Sequence, residues 1–210
     1  MFRQMKTRRY ELKQRAERQA ETRQRIIEAV VALHREIGPA RATISAIAER
    51  AGVERLTVYR HFGDETELFR ACSAHFRAAV PPPDQAAWAA LDAPADRLRA
   101  ALHAFYAYYR RGEPMIANVR RDAEQLPALA AVIAPGREAM RQVTLDLAAP
   151  WRARGRVRKR VVAAVAHALD FETWRSLVRD QGLSDADAAA LMVDLARAAA
   201  SGTRRRAKSG

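Results

Sequence analysis

Cysteine occurs once in this chain, at Cys72, so no internal disulfide can form and nothing implies an oxidising compartment. Leu68, Phe69 and Phe76 stand around it at helical spacing, which reads as a small buried thiol rather than a redox sensor. No apolar run is long enough to cross a bilayer, and the N-terminus is charged where a signal peptide would be apolar. The expected location is therefore the cytoplasm, without membrane contact. Histidines 34, 61, 75, 103 and 167 are scattered, without metal-ligand spacing. No G-x-S-x-G, phosphate loop, G-x-G-x-x-G or H-E-x-x-H stretch is present, so neither cofactor nor metal nor enzyme is expected. Strict alternation of apolar and polar residues is missing as well, which leaves an all-α fold.

What the chain has in excess is positive charge. Thirty-seven Lys and Arg against 24 Asp and Glu give +13 over 210 residues, enough to mark a polyanion partner. Nucleic acid and an anionic membrane surface are the ordinary candidates, and a codon bias toward Arg and Ala accounts for part of the excess. Residues 1–25 hold nine of the cations, among them Lys13, Arg15, Arg18 and Arg23, against three Glu, with few hydrophobes. This segment is either a basic arm or a solvated helical extension.

Helical periodicity begins near Thr22, with Ile26, Val30, Leu33 and Ile37 on one face and Gly38-Pro39 as the stop. Thr43 caps a short second helix whose inner face is Ile44, Ile47 and Ala48. Ala51-Gly52-Val53 is a tight break, a third helix runs from Glu54 to His61, and a fourth from about Glu65 to Ala79. Pro81-Pro82-Pro83 cannot lie inside a helix and marks a boundary. The chain divides into a basic arm (1–21), a smaller helical domain (22–80), a larger helical domain (81–202) and an expected disordered tail (203–210). Helices are expected in the larger domain near 84–91, 94–111, 114–122, 125–151, 157–181 and 185–200. Pro135-Gly136 should kink or split the fourth of these, and Ser184 with Asp187 resembles a capping box for the last.

Residues 43–62, TISAIAERAGVERLTVYRHF, supply the parts of a helix-turn-helix at the right length: a bracing helix, a turn with a small residue and Gly, and a second helix for the major groove. Burying Ile44, Ile47, Val58 and Phe62 leaves Arg55, Thr57, Tyr59, Arg60 and His61 outside. The framework Thr43, Ile47-Ala48, Ala51-Gly52-Val53 and Thr57-Val58-Tyr59-Arg60-His61-Phe62, trailed by Glu67-Leu68-Phe69, resembles the TetR family of bacterial regulators over residues 22–72. The resemblance implies a dimeric repressor bound to a double-stranded operator, with 22–80 as its DNA-binding domain and 81–202 as its regulatory and dimerisation domain. It also implies that Thr43 binds a phosphate, that Arg55 and Thr57 face base edges or adjacent backbone, and that Tyr59 and His61 contact phosphates or a thymine methyl. Arg60 would lie along the backbone. Two positions depart from the family. Glu54 stands where many relatives have Ser, and Glu65 where many have a phosphate-clamping Lys. Carboxylates there repel DNA, so part of the affinity is expected to shift to Arg55, Arg60 and the basic arm.

In the regulatory domain the resemblance implies a small-molecule pocket, mostly apolar, for an apolar or aromatic effector. His103, Tyr106, Asn118 (the one Asn in the chain) and Trp174 are its candidates, although aromatics at helical spacing are commonly plain core. Val161, Val165 and Leu169 form one stripe, and Leu191 and Leu195 another. These stripes build either an isologous four-helix dimer interface, as in the family, or the monomer's own core. The run Arg152, Arg154, Arg156, Arg158, Lys159, Arg160 reads as a solvated turn. Charge alone would also suit a sequence-tolerant DNA-compacting protein. Such a protein would lack the roughly 10³-fold operator preference of a regulator.

Overall fold

The computed structural model describes residues 2–201, with side chains described from Tyr10 onward, and contains no strand among them. The expected tail 203–210 and the side chains of Arg3, Lys6, Arg8 and Arg9 lie outside the described residues. Two compact units are present: Met1–Ala79 with Glu113–Ile133, and Val80–Gly112 with Ala134–Gly210.

The first unit is built on α1 (Phe2–Glu36), α2 (Ile44–Ala51), α3 (Arg55–His61) and α4 (Glu65–Ala79). Its core joins Ile26, Val30 and Leu33 of α1 to Ile47, Ala48, Val58, Phe62 and Leu68, with Met115 packed among them. α1 reaches the core only in its C-terminal third; from Tyr10 to Glu21 its side chains are exposed apart from Gln14. The stop after α1 is tighter than Gly-Pro alone implies. Gly38 has φ 92° and ψ 158°, positive but outside the left-handed helical region expected for a C-cap. A Cβ there would also collide with the Arg121 guanidinium and the Asp122 carboxylate.

Those two residues and Asn118 close the C-terminus of α1, where the last carbonyls have no helical partner. The Asn118 amide donates to the His34 and Arg35 carbonyls at 2.9 and 3.0 Å. Arg121 donates to Asn118 Oδ1 at 2.8 Å and to the Ile37 carbonyl at 3.3 Å. The Ala40 N–H donates to Asp122 at 2.9 Å. Burial alone would raise the Asp122 carboxyl, but Arg121 and the Ala40 N–H outweigh it and hold it below the usual carboxylate range.

The second unit contains α5 (Ala86–Ala89), residues 94–112 of α6 (Pro94–Asp122), residues 134–148 of α7 (Pro127–Ala148), α8 (Gly155–Leu169), α9 (Phe171–Arg175) with a π-helical turn over 176–180, and α10 (Asp185–Ala200). α8 packs along α10. An aromatic cluster fills the interior: Tyr109 meets Phe171 edge-on at 5.4 Å and Trp174 at 5.8 Å, and Trp88 meets Phe105 at 5.8 Å.

Two expected breaks are absent and one unexpected break is present. α6 is continuous through Gly112 and Pro114 rather than two helices, and α7 is not split at Pro135. Interior Gly and Pro cost about 1 and 3 kcal/mol of helix propensity. Burial of Tyr109 and Met115 on either side offsets that cost in α6. The expected helix 157–181 is instead interrupted at Asp170, whose side chain accepts from the Glu172 N–H at 2.8 Å and so starts α9.

Candidate nucleic-acid interface

The helix-turn-helix is set by local chemistry. Thr43 has extended backbone and its Oγ1 accepts from the Ala46 N–H at 3.2 Å, starting α2. Its hydroxyl hydrogen stays free to donate outward. Gly52 ends α2 in the left-handed conformation, φ 63° and ψ 43°, where a side chain would be strained. The chain then turns through Val53, whose N–H donates to the Ala48 carbonyl at 3.0 Å.

α3 shows a clean helical phase. Val58 is buried inside, and Phe62 is buried just beyond the helix end. Arg55, Leu56, Tyr59 and Arg60 are exposed, and Thr57 and His61 flank them half-buried. Of the residues expected on the outer face, Arg55, Tyr59 and Arg60 are exposed and Thr57 and His61 only partly so. Leu56 stands with them, 56% exposed beside Tyr59 at 52%. A protruding leucine can meet a thymine methyl, while the Arg forks and the Thr, Tyr and His groups serve guanine edges and phosphate oxygens.

The departures at Glu54 and Glu65 are visible as geometry. Glu54 precedes α3 as its N-cap residue but makes no side-chain cap hydrogen bond. Glu65 is exposed in the first turn of α4, where its charge suits the positive helix end. The α3–α4 corner is held instead by Glu67. It accepts from the Gly63 N–H at 3.0 Å and pairs with Arg23 at 3.5 Å, and Arg23 lies over the Phe62 ring at 4.6 Å. α1 is thereby fixed against the end of the recognition helix.

Beneath this surface His34 and Cys72 are buried together, the Cys72 sulfur 3.4 Å from His34 Nδ1 and the Phe69 ring 5.7 Å from the imidazole. Burial lowers the His34 imidazole to about 4 against the pull of Asp122. It pushes the Cys72 thiol up to about 12, the state of an inert core thiol.

Of the four effector candidates, Tyr106 and Trp174 both pack on Tyr109, and His103 is exposed. Tyr106 is fully buried and its hydroxyl donates to the Ala168 carbonyl at 2.9 Å. Trp174 is fully buried and its indole N–H donates to Asp185 at 3.0 Å, a carboxylate that also holds Arg110 at 2.8 Å. Asn118 belongs to the first unit and is spent on the end of α1. Of the dimer candidates, Val161, Val165 and Leu169 are buried within the chain itself and cannot be offered to a second copy. Leu191 and Leu195 are 48% and 41% exposed. Among the described residues, no group of three or more His, Cys, Asp and Glu is placed to hold a metal ion, and no helix is long and apolar enough to cross a membrane.

Residues 26–72 match the family of bacterial regulatory proteins, tetR family. Solved structures share the fold over nearly the whole chain. A TetR-like transcriptional regulator from Rhodococcus sp. RHA1 is 21% identical, covering 86% of this chain and 96% of that one with a TM-score of 0.57. A putative TetR-family regulator from Syntrophomonas wolfei is 12% identical, covering 88% and 97% with a TM-score of 0.59. A further transcriptional regulator from Rhodococcus sp. RHA1 is 19% identical, covering 86% and 96% with a TM-score of 0.54. No curated protein matches the chain.

Proposed function

Starting from a tetR-family helix-turn-helix domain within the all-helical fold of such regulators, we propose that the protein is a homodimeric, sequence-specific transcriptional repressor. The observation that carries this reading is the outer face of α3, where Arg55, Leu56, Tyr59 and Arg60 stand exposed over a buried Val58. Thr43 at the start of α2 and Thr57 and His61 on the flank of α3 add phosphate contacts. Two copies related by a dyad bring two such helices to successive major grooves of a pseudo-palindrome, and occupancy of a promoter blocks polymerase without further contacts. The protein acts in the cytoplasm, where that DNA is.

Dimerisation has support in α10, where Leu191, Leu195 and Ala198 leave an exposed apolar stripe at helical spacing. Small residues such as Ala198 allow close helix approach across an isologous interface. With Val161, Val165 and Leu169 absorbed by the monomer core, the α8 contribution would come from its other side, where Ala163 and Ala166 are exposed. Release by a small apolar or aromatic effector completes the reading. Such a ligand would bind by opening the aromatic cluster around Tyr109, and a coupling of about 1–3 kcal/mol suffices for regulation. The double variant Leu191→Glu/Leu195→Glu is expected to sediment as a monomer at micromolar concentration and to lose operator affinity while staying folded. A variant that remains a dimer would remove α10 from the interface.

A further inference from the structure

α1 continues well beyond what the helix-turn-helix core needs. Its core-facing residues begin at Ile26, yet the helix starts at Phe2, and the segment from Tyr10 to Glu21 packs on almost nothing. A helical segment whose few apolar side chains, Tyr10 and Leu12 among them, stand in solvent is marginal in water. Among the described residues its internal pairs are Lys13 with Glu17 at 3.8 Å and Gln14, which donates to the Tyr10 hydroxyl at 2.9 Å. The segment is also not randomly placed. Together with α3 it encloses an open cleft of about 480 Å³ lined by Glu11, Gln14, Arg15, Arg18, Gln19 and Thr22 on one wall and Thr57 and His61 on the other. Arg15 and Arg18 are exposed and bond to no other described residue. Thr57 and His61 belong to the recognition helix itself.

We propose that this cleft straddles one sugar-phosphate strand of the bound duplex. With α3 in the major groove, the strand bordering that groove enters the cleft. Thr57 and His61 meet it from the groove side, and Arg15 and Arg18 meet its phosphates from outside. Glu11 tempers the charge at the far end and leaves the two guanidiniums as the net attraction. The extension thereby supplies the phosphate contacts that Glu54 and Glu65 withhold, and it does so without reading bases. The inference rests on α3 being the recognition helix.

The test compares the full-length protein with its Arg15→Ala/Arg18→Ala variant on a duplex selected from random DNA by the unaltered protein. Each phosphate contact removed flattens the plot of log affinity against log salt by about one unit, so the double variant, which removes two contacts in each protomer of the dimer, should flatten it by about four. Affinity should fall by a similar factor on operator and on random duplex, with the ranking of sequences unchanged. Phosphate ethylation interference should lose sites on the strand bordering the half-site. Thermal stability should not move, since both side chains are exposed. An unchanged slope and interference pattern would overturn the straddling strand and leave the recognition helix standing. If the unaltered protein selects no sequence, the recognition-helix reading itself fails.

Discussion

Replacing Tyr59 by alanine is expected to lower operator affinity about a hundredfold while the dimer and its stability stay as they were. The side chain is 52% exposed on α3 and belongs to none of the buried core. Truncation therefore removes no core volume, and a surface change of this kind costs about 0.5 kcal/mol of stability or less. On DNA the position lies in the middle of the outward face, one turn from Arg55 and beside Arg60. A contact there to phosphate or thymine methyl is worth about 1–3 kcal/mol, and a dimer makes it twice. A loss of about 3 kcal/mol in total is a factor of about 150. Fluorescence anisotropy with the selected duplex measures it, and sedimentation checks the oligomer. Full affinity in the variant would mean that another face of the domain meets DNA.

Acidification supplies the second large effect. The His34 imidazole is buried against Phe69 and Cys72, and burial holds its ionisation at about 4 rather than its ordinary 6.5. Below pH 6.5 the unfolded chain takes up a proton that the folded domain refuses, so stability must fall as pH drops. The contribution is complete above 6.5 and is lost progressively down to about 4, amounting to about 3 kcal/mol at the lower end. Asp122, the charged group that favours protonation of His34, is itself held below the usual carboxylate range and so stays charged through this window. Denaturant unfolding at pH 7, 5.5 and 4 should trace the loss, and His34→Leu should remove the slope between 6.5 and 4. Constant stability over that window in the unaltered protein would mean that the ring is hydrated when folded.

The helix-turn-helix was legible because its determinants are local. Thr43, Gly52 and the spacing of Ile47, Val58 and Phe62 each act within a few residues, and the structure keeps their expected roles. Ser184 capping α10 is of the same kind, accepting from the Asp187 N–H at 3.1 Å. Readings that depended on distant partners fared differently. Asn118 looks like a pocket residue because it is the one asparagine among apolar neighbours. Its partners, the His34 and Arg35 carbonyls, lie more than eighty residues away in sequence and belong to a helix end that periodicity does not mark. The stripe Val161, Val165, Leu169 announces a buried face, but not whether this chain or a second copy buries it. Gly112 and Pro114 are local breakers that lose to burial on both sides of them. Asp170 is by contrast a local signal, since an Asp two residues before Glu172 is an ordinary helix start.

Two features of the DNA surface come from geometry rather than motif. Leu56 joins the outward face because α3 is short and its phase is fixed by Val58 and Phe62. The basic segment becomes the wall of a cleft because Arg23 ties α1 to Phe62 and Glu67. Net charge over residues 1–25 announces a polyanion partner, but only the path of α1 beside α3 gives that charge a direction.

Selection of bound sequences from a random duplex pool decides whether a dimer of this chain reads sequence through α3. Enrichment is expected of one pseudo-palindrome whose two half-sites are centred about one helical turn of DNA, or a multiple of it, apart. A pool that is bound through charge alone, with no sequence enriched over many rounds, would contradict it and make this chain a sequence-tolerant DNA-coating protein.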